Sequence, residues 1–413
     1  MTPVAERILA NLETPEALES LYHEAPEAFG KALEEALATA PDVMSLRVWQ
    51  ARLAYREPAG DAWSGHRIWK SAAIGLAAGL LARLPAVWLG EDWYYPRFAP
   101  LIVIMSLALY FLATSSTRKL KFVGGGVVLG AASYVSLLPD YTDSVVMALI
   151  HLPLALWAYL GMSFLGDTWR DSSSRAHFVR YNGELVVLYS LFALGGMVLS
   201  AITIGLFALI DQDIGEWYFS NVIVICAAGV PVAATYVYDA VFLRRTAIAS
   251  MLARIFAPLF LVMVVTYLGF TLYGEKNPFL DREFLITFNG LLVVVLGISV
   301  FSVVARDKES KSGFMDYVNI ALITVTLLIN TIALSAILYR LASFGFTPNR
   351  VVVLGANVLF FVHLTWMGMT YVSLVRQKSG FAAMVRVVGL YLPVYAAWAL
   401  IVAFLLPIVF WFE

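Results

Sequence analysis

Residues 316–376 read DYVNIALITVTLLINTIALSAILYR, then LASFGFTPNR, then VVVLGANVLFFVHLTWMGMTYVSLVR. The two outer runs are apolar, and each is long enough to cross the ~30 Å of a bilayer's hydrocarbon as a helix. The connector carries its own helix start: Thr347 can cap free backbone N–H groups, Pro348 suits the first helical position, and Gly345 permits the turn before them. Spaced through the apolar runs are Asn319, Asn330, Asn357, His363 and Thr365. Lipid offers such side chains no partner, so they need one inside a bundle. The stretch is a transmembrane hairpin, and it sets the class of the whole chain.

Composition points the same way. Of 413 residues, 61% are hydrophobic and 14% charged, with a mean hydropathy of +0.79; soluble domains carry about 25% charged residues. A net charge of −1 lacks the basic surplus that nucleic acid requires. The single cysteine, Cys226, excludes an intrachain disulfide and a cysteine-based metal site, and it reads as a small buried hydrophobe. The first residues lack a signal-peptide pattern, so the first membrane segment is expected to direct insertion.

Eleven segments have the length and apolarity of membrane helices, at approximately 70–90, 97–114, 121–138, 144–166, 184–210, 217–242, 254–273, 284–305, 317–341, 351–375 and 386–411. Trp93, Tyr94, Tyr95, Trp169, Trp217 and Tyr218 sit at their edges, where amphipathic aromatics settle. Basic residues set the expected orientation. Alternate connections hold Arg118, Lys119 and Lys121; Arg170, Arg175 and Arg180; Arg244, Arg245 and Arg254; Arg306, Lys308 and Lys311; Arg376, Lys378 and Arg386, fifteen in all. The opposite connections hold five: Arg97, Lys276, Arg282, Arg340 and Arg350. This asymmetry puts the first set and the N-terminal region in the cytoplasm and Glu413 outside. The expected fold is all-α: a polytopic bundle of about eleven spans over 67–413, with a small cytoplasmic helical domain over 1–66.

Residues 1–66 are a different material. Leu18, Leu21 and Tyr22, then Phe29, Leu33 and Leu37, recur at helical spacing, and Val43, Leu46, Val48, Trp49, Leu53 and Tyr55 can form a further apolar face. Helix starts are expected at Pro15, Pro26 and Pro41, giving three or four short helices. Eleven acidic residues face five basic ones. So acidic a unit with so thin a core reads either as a docking module for a cytoplasmic protein partner or as a cap folded on the membrane domain. Pro58-Ala59-Gly60 and Trp63-Ser64-Gly65 form the linker.

Two connections on the outer side are alike. Gly274-Glu275-Lys276-Asn277-Pro278 leads to Arg282, with Asn289 seven residues on; Gly345-Phe346-Thr347-Pro348 leads to Arg350, with Asn357 seven residues on. The similarity reads either as a duplicated hairpin or as the common use of Gly, Pro and Arg at helix starts. At ~1.5 Å per residue both asparagines lie roughly 10 Å below the outer boundary. His151 and Arg83 fall near the same depth, with Asn330 deeper, and His363 also lies deep in its apolar segment. Polar groups at one level, an arginine among them, are costly facing lipid. Arg83, His151, Asn289, Asn330, Asn357 and His363 are therefore the candidate lining of an outward-facing pocket, with Arg83 as its cation. The alternative is that each is satisfied locally.

No catalytic arrangement appears, and no cofactor or metal is expected. Gly124-Gly125-Gly126 with Gly130 lacks the Lys and Ser/Thr of a phosphate loop and reads as a close helix-packing surface. Asp211, Asp213 and Glu216 lack the rest of a calcium loop and read as a solvated acidic turn. Asp239 and Glu184 lie towards the cytoplasmic ends of their segments, so no carboxylate of the proton-coupling kind lies deep in a run.

His177-Phe178-Val179-Arg180-Tyr181-Asn182-Gly183-Glu184, Asn289-Gly290, Ala333-Leu334-Ser335 through Arg340, and Gly345-Phe346-Thr347-Pro348-Asn349-Arg350 resemble a bacterial family of polytopic membrane proteins catalogued as a domain of unknown function. The resemblance covers roughly 70–411. It implies a bacterial inner membrane and many helices, and it brings no activity or catalytic residue. Three functions stay open in this order: a transporter or permease-like protein, a membrane platform or sensor whose N-terminal domain binds a partner, and an intramembrane enzyme acting on lipid.

Overall fold

Fifteen helices and no strand make up the described residues, 2–54, 65–114, 118–244, 248–273, 282–304 and 313–413 of a computed structural model. Contacts divide the chain into one unit over Met1–Trp63 and another over Ser64–Glu413. Tyr55, the linker Pro58-Ala59-Gly60, the connector at 274–281 and the basic run at 305–312 lie outside the described residues.

The first unit holds α1 (Pro3–Ala10), α2 (Pro15–Glu24), α3 (Pro26–Thr39) and α4 (Met44–Ala54). Proline opens three of them, where its missing N–H costs nothing, and Thr2 Oγ1 caps α1 by accepting from Ala5 N at 3.4 Å. Pro41 does not open the fourth. It sits inside a turn closed by Val43 N donating to Ala40 O, the position that suits its fixed φ. Ile8, Leu18, Phe29, Leu33, Leu46 and Trp49 fill the core, with the rings of Phe29 and Trp49 4.8 Å apart. Val48, expected on the apolar face, is exposed. Arg52 lies 4.4 Å over the Trp49 ring and pairs with Glu19.

The second unit holds α5 (Gly65–Leu89), α6 (Glu91–Thr114), α7 (Arg118–Leu137), α8 (Asp143–Leu165), α9 (Ser172–Ala208), α10 (Gly215–Val241), α11 (Ile248–Tyr273), α12 (Arg282–Val304), α13 (Phe314–Phe344), α14 (Pro348–Val375) and α15 (Phe381–Val409). All eleven are long and apolar enough to cross a membrane, which makes this an integral, multi-pass membrane protein. The longest, α9, has 37 residues and begins well before its apolar run. Asp171 starts it by accepting from Ser173 N at 3.3 Å and Ser174 N at 2.9 Å. Hydrogen bonds from Ser173 and Ser174 hold the Asp171 carboxyl well below the usual carboxylate range.

One part of the core joins α6, α8, α9 and α10 around Phe111, Tyr181 and Tyr238. Tyr181 is fully buried and shares a 2.8 Å hydrogen bond with Thr235. A second part joins α11, α12 and α13 around Val264, Phe288, Leu322 and Ile329. Close helix approach occurs between α5 and α10: a Cβ on Gly229 would meet the Gly75 carbonyl oxygen at 2.7 Å, and one on Gly79 would meet Ile225 at 2.6 Å. Gly75 and Gly79 are thus the small-xxx-small pair that is used. In the 124–130 run only Gly124 packs, against Tyr159, while Gly125, Gly126 and Gly130 face open space. Cys226 is exposed on α10 rather than buried. Asp213 Oδ1 accepts from Gly215 N at 3.1 Å, closing the acidic turn between α9 and α10.

Three helical stretches widen into π-turns: Phe219–Ile223 and Val237–Val241 within α10, and Ile401–Leu405 within α15. Such turns re-aim side chains and free carbonyls. They hold Asn221 and Asp239, and the Ala403 carbonyl accepts from the Tyr134 hydroxyl.

Candidate polar pocket

The α13–α14 hairpin is built as its sequence requires. Gly345 has φ +79°, a backbone region costly for other residues; Thr347 Oγ1 accepts from Arg350 N at 3.4 Å and Pro348 opens α14. Arg350 folds back, with Nη1 donating to the carbonyls of Phe344 at 2.8 Å and Gly345 at 2.7 Å. It thereby satisfies the free carbonyls at the end of α13.

Two helical turns into the bundle from this hairpin, three asparagines meet. Asn357 Nδ2 donates to Asn289 Oδ1 on α12 at 2.8 Å and to Val353 O on its own helix at 2.8 Å. From α13, Asn330 Nδ2 donates to the Asn357 backbone carbonyl at 3.1 Å. The Val353 carbonyl can only accept, so it fixes which way the Asn357 amide points. Asn330 and Asn357 are buried, and Oδ1 of each has no partner. An unmatched buried acceptor costs on the order of 1–3 kcal/mol. Asn289 is half-buried, and with Oδ1 engaged by Asn357 its Nδ2 donors have no partner among the described residues.

Above the cluster lies a cavity of about 420 Å³, at the small end of ligand pockets. Asn289, Asp143, Arg340, Thr347, Asn349 and Arg350 are its polar lining, and Met147, Leu285, Ile337 and Val353 contribute apolar wall. Asp143 Oδ2 accepts from Asn349 Nδ2 at 2.7 Å, tying α8 to α14. Among the described residues Arg340 makes no hydrogen bond or ion pair, and its Nη1 is buried.

The six residues picked out by depth therefore separate. Asn289, Asn330 and Asn357 converge, whereas Arg83, His151 and His363 do not join them. Arg83 on α5 donates from Nε to Asn221 Oδ1 at 3.0 Å and from Nη1 to Glu91 Oε1 at 2.7 Å. His151 bonds the Met147 carbonyl one turn back on α8, Nδ1 to O 2.8 Å. His363 Nδ1 lies 2.8 Å from the Tyr395 hydroxyl, its ring stacks 4.2 Å from Tyr391, and its Nε2 is buried without a partner. The cations at the cavity, among the described residues, are Arg340 and Arg350, both of which read in the sequence as connector charges. Depth follows from rise along the helix, but azimuth and neighbouring helix do not. Arg83 shares a level with Asn289 and a contact with α6 and α10.

A second polar centre lies where α5, α6 and α10 meet. Asp239, buried in its π-turn, accepts from Arg67 Nη2 at 2.7 Å, Arg244 Nε at 2.5 Å and the Tyr110 hydroxyl at 3.0 Å. Leu243 and Arg244 have φ of 51° and 60°, a left-handed bend that accompanies the return of Arg244 onto Asp239. The Arg244 guanidinium also lies 4.9 Å over the Phe164 ring. Nearby, fully buried Glu184 accepts from Ala249 N at 3.1 Å, placing a carboxylate at the start of α11. Sequence spacing gives Asp239 and Glu184 only as end-of-segment acids, because their partners are distant along the chain.

No family model, curated protein or solved structure matches the chain. Function is accordingly argued from the two polar centres.

Proposed function

We infer that this is a permease-like transporter of a bacterial inner membrane that takes a small polar solute into the cavity between α8, α12, α13 and α14. The observation that carries this reading is the convergence of Asn289, Asn330 and Asn357, of which Asn289 lines an open cavity, with polar atoms unmatched among the described residues. Polar groups held by facing helices are the usual building material of membrane solute sites. The fifteen-to-five basic asymmetry supports an outward-facing cavity, a cytoplasmic N-terminal unit and Glu413 outside. The motifs at 177–184 and 345–350 support the bacterial membrane.

Orientation is tested with a Cys226→Ser background and single cysteines at Asp140 or Ser173. An impermeant thiol reagent on intact cells should modify the first and spare the second. Transport is tested by light-scattering recovery of osmotically shrunken proteoliposomes in a panel of small solutes. Protein-dependent recovery that Asn357→Leu removes supports the reading; no protein-dependent entry of any solute opposes it.

A second reading has its own observation. The first unit closes a core of its own and is acidic, which suits a docking module for a cytoplasmic protein. Recovery of the same partner by the full chain, lost when residues 2–54 are deleted, would favour this platform role.

A further inference from the structure

The geometry points to a small water-borne organic anion, a carboxylate or phosphate with a short apolar part, as the ligand of the α8–α12–α13–α14 cavity, with Arg340 as the side chain that recognises it. This rests on the cavity being a solute site and adds the class of solute.

Five other arginines in the described part of the bundle are engaged. Arg67 and Arg244 hold Asp239, Arg83 holds Glu91, Arg97 donates to the carbonyls of Trp93 and Pro139, and Arg350 closes the end of α13. Arg340 differs: it lines the cavity and, among the described residues, has no bond or ion pair; its Nη1 is buried and unmatched, as is Nε of Arg97. A guanidinium presents paired donors at the spacing of a carboxylate or phosphate edge.

The rest of the lining agrees in sign. Among the described lining residues, Arg340 and Arg350 outnumber the one acid, Asp143, whose Oδ2 is occupied by Asn349. The first turn of α14, the positive end of a 28-residue helix, also borders the cavity through Thr347, Asn349 and Arg350. Below, the Nδ2 donors of Asn289 offer a second polar point. Leu285, Ile337 and Val353 give the ligand's remainder an apolar wall, which favours an organic anion over a bare inorganic ion.

The test uses the purified full chain in phosphatidylcholine nanodiscs and a matched pair of probes, benzoate and its neutral isostere benzamide, with phenyl phosphate as a second anion. Binding is read by calorimetric titration and by the unfolding midpoint. Saturable binding of benzoate or phenyl phosphate, with benzamide at least ~10-fold weaker, is expected. Arg340→Gln should weaken the anions ~10-fold or more, Arg340→Lys should restore part of the loss, and both variants should keep the probe-free midpoint. Equal binding of benzamide and benzoate would overturn the anion while leaving the solute site standing. Binding by neither charge class would count against both. Displacement of benzoate by phosphatidylglycerol added to the nanodisc, or a midpoint shift with that lipid alone, would assign the cavity to a lipid headgroup and overturn a water-borne solute. Anion binding unaffected by Arg340→Gln would remove Arg340 as the recognising residue.

Discussion

Two of the membrane unit's buried polar centres, one around Asp239 and one around Asn357, are treated differently. Around Asp239 both carboxylate oxygens are engaged: Arg67, Arg244 and Tyr110 converge on it. Around Asn357 the helices are joined by amides, yet among the described residues Asn330 Oδ1 and Asn357 Oδ1 remain unmatched behind Asn289, and Arg340 Nη1 is unmatched at the cavity that Asn289 lines. A matched centre repays the cost of burial by itself and joins helices. An unmatched one carries a cost that a bound molecule can remove. That contrast separates a fastening from a site.

The largest effect should come from breaking the matched centre. Asp239→Asn leaves two arginines facing each other without their counter-charge, and a loss of about 3 kcal/mol is expected. Unfolding of the purified chain in detergent measures it; an unchanged midpoint would mean that the centre is not a fastening. Within the pocket, Asn357→Leu removes two hydrogen bonds and relieves one unmatched acceptor, so a smaller loss, about 1 kcal/mol, is expected by the same assay. Arg340→Met should sharpen the comparison further. It removes an unpartnered buried donor, so stability in the absence of any solute should hold or rise slightly, and a loss comparable to that of Asp239→Asn would show that Arg340 has a structural partner.

The first unit supplies a third case, a matched pair in water. Glu19 has its carboxyl held below the usual range, chiefly by the hydrogen bond from Arg52. A depressed carboxyl adds stability above its unfolded pKa, and that contribution disappears as pH falls through the folded value. Acidification through and below the ordinary carboxylate range should therefore loosen α2 against α4 in the full chain, and Glu19→Gln should flatten that dependence. Amide hydrogen exchange across 15–54 reads it. Solvent screens an exposed pair, so this effect should be the smallest of the four.

Much of the fold is legible in local chemistry. Gly345, Thr347 and Pro348 build the hairpin because turn and cap geometry depend on a few adjacent residues. Repeated Arg-to-Asn spacing also finds a real contact, since seven residues keep a side chain on one face and Asn289 and Asn357 meet at 2.8 Å. Contacts between helices far apart in the chain are another matter. Nothing near Asp239 announces Arg67, and Gly75 and Gly79 look no different from Gly126 and Gly130 until α10 is placed beside them. Arg83 shows the same limit: its depth is readable, but its neighbours are set by which helices pack together. Arg340 lies near the end of an apolar run, where a charge is ordinarily assigned to the connector.

The central contrast, an open unmatched site against a closed matched one, is tested most directly by accessibility. In a Cys226→Ser background, single cysteines replace Asn289 at the cavity and Tyr110 beside Asp239, and the purified chain in phosphatidylcholine nanodiscs, which leave both membrane faces open to solvent, is treated with a hydrophilic thiol reagent. Modification of the cysteine at 289, slowed by benzoate, with none at 110, is the result expected. Equal modification of both positions, or protection of 289 with no solute present, would contradict the account.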